Sequence, residues 1–167
     1  MTAPDALPPA VEVAPEPDRT AKNAVFFEGL GSGLLFSVNY ARYVPEWHLG
    51  LRAGASFITY KVSNAEGSGN LLLATMPLLA SYYIGPPRHK LELGLGATLI
   101  YFSASSDATG TKFEGSGTGL GVAAAGVVGY RYLPEGRGFT FGAGFTPLLR
   151  AAKGFLPWGG ASAGYAF

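Results

Sequence analysis

Along residues 90–102, KLELGLGATLIYF, apolar positions alternate one by one with small or polar positions. Leu91, Leu93, Leu95, Ala97, Leu99 and Tyr101 share one face of an extended chain, while Glu92, Gly94, Gly96, Thr98 and Ile100 share the other. The reason is geometric: successive side chains of a strand point to opposite sides. The same period of two runs through WHLGLRAGASFITY at 47–60, where Trp47, Leu49, Leu51, Ala53, Ala55 and Phe57 oppose His48, Gly50, Arg52, Gly54 and Ser56. It returns where Phe139, Phe141, Ala143, Phe145 and Leu149 oppose Thr140, Gly142, Gly144 and Thr146. Clusters of Gly, Pro, Asn, Asp and Ser separate these stretches, which is the chemistry of turns. The pattern predicts eight strands, near 24–31, 34–43, 47–62, 71–84, 90–103, 120–133, 139–150 and 155–167. Residues 1–22 read differently: APDALPPAVEVAPEPD is rich in Pro, Ala and acidic residues and predicts a disordered or extended tail, leaving 23–167 as one domain.

Which face turns inward decides the kind of barrel. In a water-soluble one, the large apolar residues fill the interior and charges cover the outside. Here the second face carries Gly, Ser, Thr and a few charges, too little to solvate an outer surface. Charged residues are 14% of the chain and Gly accounts for 25 of 167 residues, so the apolar face is expected to point outward, toward lipid. Helices do not offer another route. The longest uncharged run, 67–87, has an apolar part shorter than the roughly 20 residues a bilayer-spanning helix needs, and Pro77 interrupts it. The prediction is an all-β, eight-stranded antiparallel transmembrane β-barrel, an up-and-down meander behind a Pro-rich tail.

The connections agree with that orientation, since bacterial barrels have short turns on the periplasmic side and longer loops outside. VPEWH, GPPRH and LPEGRG fall at one end, expected to be periplasmic together with both termini, and NAEGSGN and SSDATGTKFEGSGTG fall at the other. GSG at 31–33 and AAKG at 151–154 are short for outer loops, so the barrel is expected to lie nearly flush with the surface there. Aromatic belts are expected at the two boundaries: Tyr43, Trp47, Tyr82, Tyr83, Tyr130, Tyr132 and Tyr165 below, Phe57, Tyr60, Tyr101, Phe155 and Trp158 above.

The chain closes on GYAF, with Tyr165 two residues before a terminal Phe167. With the barrel pattern around it, this region resembles the small bacterial outer-membrane β-barrels of the OmpA-like or OmpW-like kind. The resemblance implies a bacterial outer-membrane location, contact with outer-membrane lipid, and recognition of Tyr165 and Phe167 by the barrel-assembly machinery. The tail resembles the periplasmic spacers beside such barrels. The start at Met1 lacks the basic and apolar stretches of a signal peptide, as a processed precursor given a new Met would.

Little in the chain suggests catalysis. There is no Cys, and the two His, His48 and His89, fall in or beside predicted periplasmic turns, where a solvated or interfacial role is expected rather than catalysis or metal binding. The net charge of +1 comes from scattered Lys and Arg, which speaks against nucleic acid as a partner. GSGTGLG at 115–121 resembles a phosphate cradle only superficially, because no helix-forming stretch follows it. No cofactor is expected. Strand parity puts Glu28, Arg52, Glu92 and Arg131 on the inner face of four strands, where a charge must be paired. The expected function is a non-enzymatic, monomeric outer-membrane barrel with a structural or surface-contact role and a lumen plugged by these charged pairs. The alternatives are a small pore, a soluble lipocalin-like barrel binding an apolar ligand, and, last, a lipid-modifying outer-membrane enzyme.

Overall fold

The computed structural model describes residues 20–64, 67–108, 115–150 and 154–167. The predicted tail therefore lies outside the described residues except for its last three. Among the described residues, ten strand segments form one antiparallel sheet. They are β1 (Asn23–Leu30), β2 (Phe36–Val44), β3 (Leu49–Asn64), β4 (Gly67–Ile84) and β5 (His89–Ala108), followed by β6 (Gly115–Tyr132), β7 (Gly138–Phe145), β8 (Leu148–Arg150), β9 (Gly154–Leu156) and β10 (Gly159–Ala166). From β1 to β6 each strand pairs with the next in sequence, β6 continues onto β7 and β8, and β10 closes the ring by pairing with both β7 and β1.

Ten segments make eight staves because two interruptions are local. Val128 lies opposite Phe145, and the same register against β6 resumes with Ala125 opposite Leu148. Phe145 lies opposite Gly159, and again the register carries through to Leu148 opposite Leu156. Pro147 and Pro157 sit in the two gaps, and a proline has no N–H to give the ladder. The closed barrel is thus the eight-stranded antiparallel meander that the alternation predicts, with seventh and eighth staves at 138–150 and 154–166.

Burial follows the same period. Leu95 is 78% exposed, Leu120 84% and Phe139 79%, all on the outside, whereas Glu92, Thr98 and Thr140 on the inner face are 2% exposed or less. The glycine rows let backbones come close: a Cβ added to Gly129 would stand 2.6 Å from the Cα of Gly144, and the reverse also holds. No bulkier residue fits that crossing.

Three expectations are corrected. The described residues of the segments read as long loops are strand: Lys61 pairs with Asn70, Asn64 with Gly67, Ser103 with Thr118 and Ser106 with Gly115. A ladder needs only N–H and C=O groups in register, so it runs on past the last apolar side chain. The barrel wall is consequently uneven, with β3 to β6 of 16 to 20 residues standing over β1 and β2 of 8 and 9. Nor does GSG lie flush. Gly31–Gly33 forms a 3-10 turn that folds into the lumen, leaving Ser32 fully buried. Finally, Tyr43 and Tyr83 do not join a belt. They face inward, pack edge to face at 5.5 Å, and form a buried cluster with Leu133 at the lower mouth. Residues 20–22 are tied to that mouth: the Thr20 N–H donates to the Glu135 carbonyl, the Lys22 carbonyl accepts from the Tyr43 N–H, and Ala21 is buried against Ala24, Phe26 and Ala166.

Candidate functional site

The lumen is where the buried polar chemistry collects. Glu28 on β1 and Arg52 on β3 reach across the short β2, and the Arg52 Nη1 donates to Glu28 Oε1 at 2.9 Å with both side chains about 5% exposed or less. Glu92 on β5 and Arg131 on β6 make the second pair, at 2.8 Å and equally buried. The structure therefore brings the four predicted charges together as two pairs, Arg52 with Glu28 and Arg131 with Glu92.

Their forks are used differently from a simple two-oxygen clasp. Arg52 divides its fork, with Nη1 on the carboxylate and Nη2 donating to Ser32 Oγ at 2.7 Å, while that hydroxyl in turn donates to Glu28 Oε2 at 3.0 Å. Arg131 instead directs both Nε and Nη2 at one oxygen, Glu92 Oε2, while Glu92 Oε1 accepts from Ser81 at 2.8 Å and Arg131 Nη1 donates to Ser162 at 3.0 Å. Between the pairs lies the buried ring of Phe26, with Arg131 4.8 Å and Arg52 5.8 Å from its centroid. A ring face attracts a guanidinium, so Phe26 joins two like charges that would otherwise only repel. One donor is left over, since Arg52 Nε has no partner.

The inward turn is pinned from the opposite wall. Thr98 Oγ1 on β5 donates to the Ser32 carbonyl at 2.7 Å, and Thr75 Oγ1 on β4 donates to the Gly33 carbonyl at 3.0 Å. Reversing the chain in so little space requires left-handed backbone at Leu30, Gly31 and Leu34, with φ of 61°, 76° and 72°. Gly31 has a second reason to be glycine: an added Cβ would lie 2.6 Å from the Glu28 carboxyl carbon.

The remaining singled-out residues lie elsewhere. His89 Nδ1 and the Tyr130 hydroxyl share a hydrogen bond of 2.7 Å near the lower mouth, and His48 stands edge-on to Tyr82 at 6.1 Å. Among the described residues no group of three or more His, Asp or Glu is placed to hold a metal. Tyr165 and Phe167 are half-exposed on the outer surface, and the Phe167 backbone exchanges two hydrogen bonds with Asn23. Also near the mouth, Lys22 pairs with Glu46 at 3.5 Å. The carboxyl of Glu46 lies below its ordinary range, first through a hydrogen bond to its own backbone and then through Lys22.

Sequence reasoning passed over Phe26, Ser32 and Lys90. Phe26 shares the parity of Glu28, and Lys90 that of Glu92, so both were open to the same argument. The apolar run Val25-Phe26-Phe27 hides the first, and the place of Lys90 right beside the GPPRH turn hides the second, whose ammonium donates to the Gly85 carbonyl at 3.1 Å. Glu28 is only four residues from Ser32, but the other partners, Arg52 and Thr98, come from strands farther along the chain, so nothing local marks Ser32 as buried.

No protein-family model matches the sequence, and no curated protein matches it. Solved structures do. The N-terminal β-barrel domain of Pseudomonas aeruginosa OprF superposes with a TM-score of 0.56 at 17% identity, over 87% of this chain and 95% of that one. Ail, the attachment invasion locus protein of Yersinia pestis, superposes with a TM-score of 0.53 at 14% identity, over 89% of this chain and all of that one. Its complex with the heparin analogue sucrose octasulfate gives 0.54 at 14% identity, over 87% and 98%. At this identity the likeness is one of fold, and in fold the chain is a closed eight-stranded barrel of the kind found in small bacterial outer-membrane proteins.

Proposed function

We propose that this protein is a monomeric, non-enzymatic barrel of a bacterial outer membrane, inserted with both termini in the periplasm, whose role is structural or one of surface contact and whose lumen does not conduct. The observation that carries the reading is the crossing of the lumen by two buried ion pairs and the inward Ser32 turn. An aqueous channel would hydrate those charges. The outward apolar face supports insertion in lipid and weighs against the lipocalin-like alternative, which requires the opposite sense. Surface contact draws support from the name of Ail, an attachment invasion locus protein. Against an enzyme, the hydroxyls of Ser32, Ser81 and Thr98 are occupied in the plug and its pairs, and the two His stand near the lower mouth against tyrosines. Tyr165 and Phe167 serve in this reading as the signal for the assembly machinery.

The test is electrical. Purified protein in a planar lipid bilayer is expected to give a closed baseline. Steady single-channel conductance overturns the closed-lumen reading in favour of a pore.

A further inference from the structure

Above the Ser32 turn the lumen changes character. Transmembrane barrels have polar interiors, and the lower lumen here obeys that rule. The upper lumen does not: Leu73, Ile100, Phe102, Leu148 and Leu156, with Leu34 below them, line a cavity of about 540 Å³. That volume is within the range of small-molecule sites. A packed core would be filled, because protein interiors leave few voids larger than a water. Here Phe102 and Leu156 are each 42% exposed, so apolar surface lines an open space.

One cation stands against this lining. Arg150 lies two residues beyond Leu148 on β8, about 7 Å farther up the strand at an ordinary rise. Its side chain borders the cavity and has no ion pair or hydrogen bond among the described residues. An apolar chamber with one unpaired guanidinium complements a molecule that has an alkyl chain and one anionic head. The planar fork of Arg matches a carboxylate.

Among the described residues the wall is also unpaired on one side of this chamber. On its β2 side, β3 is paired only as far as Ala55, opposite Val38, and β9 is the last strand at the other end of the sheet. The uneven heights of the staves leave these two edges apart above the short β1–β2 hairpin. Leu35, 52% exposed, lies on the sill. We infer that the upper lumen binds a single-chain alkyl carboxylate, its chain among Leu73, Phe102 and Leu156 and its head on Arg150. This does not rest on the closed-lumen reading, since the chamber lies above the plug.

The chain has two Trp, and one of them reports on the site: Trp158 Nε1 donates to the carbonyl of Leu34, a lining residue, at 3.0 Å. In a Trp47→Phe background, folded into uncharged phosphocholine vesicles, Trp158 fluorescence is titrated with ω-bromododecanoate and separately with ω-bromododecyltrimethylammonium. Expected is saturable quenching by the carboxylate at roughly tenfold lower concentration than by the cation, the worth of one charge-assisted hydrogen bond. Arg150→Leu should abolish that preference and Arg150→Glu reverse it, with circular dichroism verifying the fold of each. Arg150→Leu alone suffices if the reversal variant does not fold. Quenching that grows with bilayer loading without saturating, that is equal for both heads in the parent, or that is unchanged in Arg150→Leu overturns the inference.

Discussion

Replacing Arg52 with Leu removes the donor that holds Glu28 across the lumen. The pair is 2.9 Å apart with side chains 4% and 5% exposed, so solvent neither screens it nor can replace the lost partner. Glu28 would keep only Ser32 and the long contact to Ser37 at 3.5 Å, while Ser32 loses its own bond from Nη2. Breaking a buried ion pair on one side costs about 3–5 kcal/mol. For a urea slope of about 2 kcal/mol per molar, that lowers the unfolding midpoint by roughly 2 M. A suitable reference is Leu95→Ala on the lipid face, where lipid fills the space and no cavity forms. Three lost carbons there cost about 2 kcal/mol, or roughly 1 M. Both variants are to be unfolded by urea in phosphocholine vesicles and followed by tryptophan fluorescence. The double variant Arg52→Leu with Glu28→Leu should recover most of the loss, because a buried pair replaced on both sides is often close to neutral. If Arg52→Leu unfolds at the parent's midpoint, or if the double variant is no better than the single, the pair is not what holds the β1–β3 side of the lumen together.

Two further outcomes test the plug and the carboxyl terminus. Gly31→Ala should destabilise by about 1–2 kcal/mol from left-handed backbone strain alone, and by more from the contact with Glu28, whereas Gly117→Ala, with nothing within 4 Å, should leave the urea midpoint unchanged. Tyr165→Ala and Phe167→Ala should lower the amount of folded barrel in bacterial outer membranes well below that of Leu95→Ala, while destabilising the refolded protein by only about 2 kcal/mol, as Leu95→Ala does, since both side chains are half-exposed; cell yields equal to those of Leu95→Ala would remove the assembly-signal role.

The period of two was enough to sort side chains into an outer and an inner face, because in a strand that choice is purely local. It follows that Glu28, Arg52, Glu92 and Arg131 share the inside, and that residues 138–150 and 154–166 each remain one stave despite a proline. Parity says nothing about height. Which Arg meets which Glu depends on the stagger between β1 and β3 and between β5 and β6, and stagger is set by closing the whole ring. The same limit hid the long upper strands: a segment such as NAEGSGN reads as a loop by composition, yet the backbone of its described residues pairs because the strand below is already in register. The inward fold of Gly31–Gly33 was the least legible feature. A glycine-rich turn can face either way, and what draws this one into the lumen is a carboxylate on its own strand, an Arg from β3 and two Thr hydroxyls from β4 and β5, groups up to 66 residues away that meet only once the barrel has closed.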